Sequence, residues 1–119
     1  MKRLIHRTGL VAIAVAVASV VLSAGAVASA SKAAVRVKGT EFKFALIPKS
    51  APRGTVVFTF TNAGKVDHDF KIKGKKTALL KPGKTAKLTV SFAKAGRYAF
   101  LCTVPSHAAA GMKGTFVVK

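Results

Sequence analysis

From Ala33 to Lys119 apolar and polar residues alternate with a period of two, which gives each segment one face to bury and one to leave in water. Val35 and Val37 alternate with Arg36 and Lys38, and Phe42, Phe44 and Leu46 form the next inward row. Val56, Phe58 and Phe60 make another, and Leu88, Val90 and Phe92 a later one with Lys87, Thr89 and Ser91 outside. Turn chemistry separates the runs at Lys38-Gly39, Pro52-Arg53-Gly54, Asn62-Ala63-Gly64, Pro82-Gly83 and Ala95-Gly96, because Gly and Pro interrupt regular elements. No run after residue 30 carries helical spacing. About seven or eight short strands without a helix predict an all-β, Greek-key β-sandwich or small barrel, its core filled by eight Phe and one Tyr. Residues 31–40 are expected to be partly disordered, and Gly74 to Lys84 forms the longest lysine-rich connection.

The chain has 119 residues, room for one small domain. Its start reads differently. Lys2, Arg3 and Arg7 precede an apolar stretch from Leu10 to Leu22 broken only by Ser19, and Ala28-Ser29-Ala30 closes with small residues. That pattern is a secretory signal peptide over residues 1–30, leaving a domain at residues 31–119. The rival is an uncleaved anchor, since Leu10 to Ala30 approaches the roughly 20 residues of a spanning helix. Either way the domain is expected outside the cytoplasm, periplasmic or secreted.

Of 21 Lys and Arg, 18 follow residue 30, against only Glu41, Asp67 and Asp69. A basic surface suits nucleic acid, but an exported domain does not meet it, so no nucleic-acid partner is expected. The lysine coat keeps the domain soluble and steers it towards an acidic redox partner or an anionic envelope surface. Exported small domains often carry paired cysteines, yet here Cys102 stands alone. A lone thiol outside the cytoplasm needs burial, a partner chain or a bound group to protect it.

Strand parity then sets the chemistry. Phe70 and Ile72 form an apolar pair, so His68 points to the same inner side, and Tyr98, Phe100 and Cys102 share one face of the strand from Arg97 to Thr103. By the same parity Asp67 and Asp69 are expected on the opposite face. After Cys102 a loop runs through His107 to Met112 with the spacing Cys-x4-His-x4-Met, and Gly114 to Lys119 reads as a closing strand. Buried Cys, Met and His are each more commonly packing residues than ligands. Here, however, the domain's only Cys, only Met and both His fall in one cluster. Two imidazoles, a thiolate and a weak axial thioether suit a single copper ion, because soft sulfur favours Cu(I) and nitrogen tolerates Cu(II).

The segment Cys102-Thr-Val-Pro-Ser-His107-Ala-Ala-Ala-Gly-Met112-Lys-Gly-Thr-Phe116 resembles the copper loop of the cupredoxin (type 1 blue-copper) family, especially its azurin, auracyanin, rusticyanin and plastocyanin members. Asn62 to Ile72, with Asp67-His68-Asp69-Phe70, resembles the family's upstream histidine strand. The resemblance covers the whole domain after residue 30. It implies Cys102 as thiolate ligand, His68 and His107 as equatorial nitrogens, and Met112 as axial ligand. His107 becomes the electron exit, ringed by an apolar docking patch of Val104, Pro105 and Ala108 to Ala110. Backbone N–H groups near residues 69 and 104 are expected to bond the Cys102 sulfur, and Val104 keeps its N–H where plastocyanin-like loops have proline. Asp69 stands where many members have an Asn that ties the two ligand loops, and the stretch from His107 to Met112 is one residue longer than in azurin. Tyr98 is expected to make a corner hydrogen bond to upstream backbone.

These features predict a monomeric one-electron carrier rather than an enzyme. No Ser/His/acid set or phosphate-cradling loop is present, and no histidine remains for a second copper site. The alternatives are a copper carrier or storage protein, and a metal-free cationic envelope-binding sandwich.

Overall fold

The computed structural model of this chain describes Gly9, residues 12–19 and residues 32–119. The leader expected over residues 1–30 lies largely outside those residues. No helix among the described residues is long and apolar enough to cross a membrane.

Among the described residues nine strands follow in order: β1 (Ala33–Thr40), β2 (Lys43–Ile47), β3 (Ser50–Ala51), β4 (Gly54–Asn62), β5 (Lys71–Ile72), β6 (Lys75–Lys76), β7 (Thr85–Phe92), β8 (Gly96–Leu101) and β9 (Lys113–Val118). They form two layers, one ordered β2-β1-β4-β7 and the other β3-β9-β8-β5-β6. The chain passes repeatedly between the layers, the interleaving of a Greek-key sandwich. Both sheets are mixed: β1 runs parallel to β4 and β3 parallel to β9, while the other pairings are antiparallel.

Alternation decides which face is buried. Val35 and Val37 in β1, Val56, Phe58 and Phe60 in β4, and Val90 and Phe92 in β7 are all at most 2% exposed. Their aromatic members meet Phe70 and Phe116 of the opposite layer in edge-on and tilted pairs, with Phe58 5.2 Å from Phe116 and 5.3 Å from Phe70 between ring centroids, and Phe44 of β2 meets Phe100 at 5.7 Å. Burying a Phe side chain contributes about 1.5–3 kcal/mol, so this aromatic seam is the main cohesion between the layers. The Tyr98 hydroxyl donates to Lys94 O at 2.7 Å, the expected corner bond.

Several expectations change. Residues 33–40, expected to be partly disordered, form β1, because Val35 and Val37 complete the core against β4. Phe42, expected inside, is 40% exposed. Thr40 pairs with Lys43, so Glu41 and Phe42 are the tip of the β1–β2 hairpin and leave the strand's alternation. The strand expected from Lys65 to Lys73 shrinks to Lys71–Ile72, preceded by a single antiparallel bridge between His68 and Leu80.

Candidate metal centre

The candidate ligands arrive from two places at one end of the sandwich. His68 lies between β4 and β5, where reciprocal bonds to Leu80 fix its backbone, His68 N–H to Leu80 O at 3.1 Å and Leu80 N–H to His68 O at 2.8 Å. The Asn62 amide is fully buried and donates to Val66 O and Leu80 O, both at 2.8 Å, while its oxygen accepts from Gly64 N–H at 2.9 Å. This one side chain closes the 63–67 loop that delivers the histidine. Cys102 follows β8 directly and Met112 precedes β9; Cys102 N–H donates to Met112 O at 3.1 Å and Met112 N–H to His107 O at 3.0 Å. The loop between them thus folds back on its own backbone.

These elements bring His68, Cys102 and His107 together, with ligand atoms all within 4.8 Å of one another. His68 Nδ1 lies 3.1 Å from His107 Nδ1, and Cys102 Sγ lies 3.5 Å from His107 Nδ1 and 4.0 Å from His68 Nδ1. Metal–nitrogen bonds of about 2.0 Å and metal–sulfur bonds of about 2.3 Å, as at zinc, would set a planar triad about 3.5 to 3.8 Å apart. The observed spacings straddle that range. Two ring nitrogens this close need a proton or a cation between them, and a soft thiolate beside them suits copper. The donor set therefore fits the ion expected from the sequence.

Met112 is fully buried at the same end of the fold. Its methyl packs over Gly39, where an added Cβ would come within 3.1 Å of it and 2.7 Å of the Phe60 ring. Only a residue without Cβ leaves that room.

Burial pushes the Cys102 thiol above its ordinary value, and the nearby Asp69 carboxylate adds to the push. The backbone N–H groups of Asp69 and Val104 act the other way and favour the thiolate. A cation at the triad would favour the thiolate outright.

Asp69 corrects the parity argument, which placed it on the opposite face. It is 3% exposed, its Oδ1 accepts from Thr103 N–H at 2.6 Å, and its Oδ2 accepts from the Thr103 hydroxyl. Around His68 the chain is not a strand, so two-residue alternation fails there and the carboxylate turns inward to tie the two ligand loops. Asp67 instead lies 3.8 Å from Lys81 in an exposed ion pair, an arrangement worth little.

Sequence reasoning missed Glu41 and Asn62 and misplaced Phe42. Glu41 Oε1 accepts from Lys65 N–H at 2.7 Å, Val66 N–H at 3.1 Å and His68 Nε2 at 3.1 Å. Lys65 N–H, followed by Val66 N–H and His68, holds its carboxyl down at about 2 against the opposing effect of desolvation. Its rarity was the available signal, one of three acids in a basic domain. The Phe42 ring packs on His107 with centroids 4.9 Å apart and planes at 62°. It joins exposed Pro105, Ala109 and Ala110 and half-buried Val104 and Ala108 around this half-buried histidine.

With fold and donors established, comparison with known proteins gives the same class. The model of copper binding proteins of the plastocyanin/azurin family matches residues 23–119, and the chain belongs to that family. Copper-resistant cuproprotein CopI of Pseudomonas aeruginosa is 46% identical over 43 residues, covering 36% of this chain and 24% of that protein. Copper-resistant cuproprotein CopI of Vibrio cholerae is 32% identical over 82 residues, covering 51% of this chain and 48% of that protein. The chain thus spans less than half the length of either. Rusticyanin from Thiobacillus ferrooxidans superimposes with a TM-score of 0.63 at 27% identity, covering 74% of this chain and 77% of the other.

Proposed function

We propose that this protein is an exported, monomeric one-electron carrier holding one type 1 copper ion with His68, Cys102, His107 and Met112. The observation that carries the reading is the convergence of one thiol and two imidazole nitrogens at 3.1 to 4.0 Å, enclosed on the His68 side and half-open at His107. Copper bound there would supply one-electron chemistry by alternating between two oxidation states. The protein's part is to keep the donors in place, which limits reorganisation when an electron moves, and to exclude water from the sulfur. The apolar ring around His107 offers a brief docking surface, and the lysine coat attracts an acidic redox partner. No catalytic role is assigned: His68 and His107 are the only histidines after residue 30, and both belong to this site.

A second reading, handling of the copper ion itself in copper resistance, is favoured by the names of the two CopI relatives. The two readings differ in whether copper leaves the site. The test is the visible and paramagnetic resonance spectrum after adding Cu(II), beside Cys102→Ser, followed by challenge with a chelator. An intense thiolate-to-copper band, lost in Cys102→Ser and persisting under chelation, is the expected result. Rapid loss of copper to the chelator would move the function to ion delivery, and a colourless protein with ordinary Cu(II) signals would sink the electron-carrier reading and leave copper delivery or an envelope-binding sandwich.

A further inference from the structure

We propose that Glu41 is a positioning residue for the copper site, holding the His68 ring so that Nδ1 faces the metal and biasing the site towards Cu(II). The inference rests on the copper reading above. A carboxylate only accepts hydrogen bonds, so its contact with His68 Nε2 at 3.1 Å places the ring proton on Nε2. That leaves the Nδ1 lone pair directed at His107 Nδ1 and Cys102 Sγ. The same Oε1 takes two backbone N–H groups, Lys65 at 2.7 Å and Val66 at 3.1 Å, so the hairpin tip is stitched to the loop that carries His68.

Gly64 supports the assignment independently. A Cβ at that position would overlap Glu41 Oε1 and lie 2.9 Å from His68 Nε2, so the approach of carboxylate to imidazole requires glycine there. The carboxylate side chain keeps 31% of its surface while His68 keeps none. The acid therefore acts through the ring rather than as a ligand. Outer partners of this kind fix a histidine's tautomer and raise its basicity, and a negative charge one ring away stabilises the more highly charged ion.

The test begins with the metal-free full-length chain and nitrogen-15 histidine spectra at about pH 8, above the ordinary histidine pKa of ~6.5. His68 is expected as the single Nε2–H tautomer, becoming a mixture in Glu41→Ala. A wild-type Nδ1–H ring, or an unchanged spectrum in Glu41→Ala, overturns the proposal. Gly64→Ala keeps the acid but denies the approach, and should reproduce the mixture; a wild-type spectrum there also counts against it. Glu41→Gln keeps an acceptor and loses the charge, so the tautomer should persist. After Cu(II) loading, the preference of that variant for Cu(II) over Cu(I) should fall about tenfold, a rise in potential of about 59 mV. An unchanged potential refutes the bias. Should the wild type show no thiolate-to-copper band, the copper reading fails, while the metal-free spectra still decide whether Glu41 sets the ring.

Discussion

His68 and His107 bring ring nitrogens to within 3.1 Å of one another, yet the chain holds them in opposite ways. His68 is fully enclosed, its backbone bridged to Leu80, its loop closed by Asn62 and its far nitrogen bound to Glu41. His107 is half-buried in a loop whose order comes from its own turns, Ala110 N–H donating to Ser106 O at 3.0 Å and His107 N–H to Val104 O at 3.1 Å. Its aromatic neighbour is the exposed Phe42. Two identical side chains thus differ in setting, one enclosed and held from several sides, the other approachable from outside. The rigid half is anchored by long-range contacts, the approachable half chiefly by turns within its own loop, to which Asp69 and Phe42 add two distant contacts.

The sharpest way to break this contrast is chemical modification of the metal-free protein with an imidazole-acylating reagent. His107 is expected to react from the native state, while His68, with no exposed surface, reacts only through local opening, whose rate is limited by the free energy of that opening. Of these two histidines, mass spectrometry of peptides should find the label on residue 107 alone at short times. Equal labelling of both would show that the His68 side is as mobile as the loop.

The two halves are joined at Asp69, so its removal should cost stability even without metal. Asp69→Ala leaves the Thr103 N–H and hydroxyl without the acceptor they use, a loss of about 1–3 kcal/mol for buried polar groups. Asp69→Asn keeps one acceptor oxygen and should lose under about 1 kcal/mol, because an amide still accepts from Thr103 N–H. Urea unfolding of the metal-free variants measures both. An Asp69→Ala midpoint equal to that of the wild type would mean that the loops are not coupled through this residue.

How far the sequence discloses this arrangement follows the same division. Where alternation governs, as at Val35, Val37, Val56, Phe58 and Phe60, buried residues are read directly because a paired strand has no choice of face. Cys102 and His107 are legible because one loop carries them at fixed spacing, and the same loop ends on the buried Met112. Asp69 is legible only through the family resemblance and not through parity, and Glu41 and Phe42 are not legible at all, since all three lie where the backbone leaves the strand: Asp69 beside an isolated bridge, Glu41 and Phe42 at a hairpin tip. Their partners, Thr103, His68 and His107, are 34, 27 and 65 positions away along the chain. No local rule predicts such contacts, and they are the ones that shape the site. The lysine coat is visible in composition but names no partner.

The local half of the contrast can be tested at Ser106, whose φ of 73° places a residue with a Cβ in the left-handed region. That conformation costs an L residue roughly 1–2 kcal/mol, and the loop bears it immediately before His107. In Ser106→Gly the strain is relieved, while the freer unfolded chain takes back about 0.4–1 kcal/mol. The expected net effect is a small stabilisation, about 0.5–1 kcal/mol, seen as a higher urea midpoint with unchanged slope. Because His68 is anchored from elsewhere, its labelling should not change, whereas a destabilised Ser106→Gly protein would show that Ser106 contributes contacts the loop needs more than relief from strain.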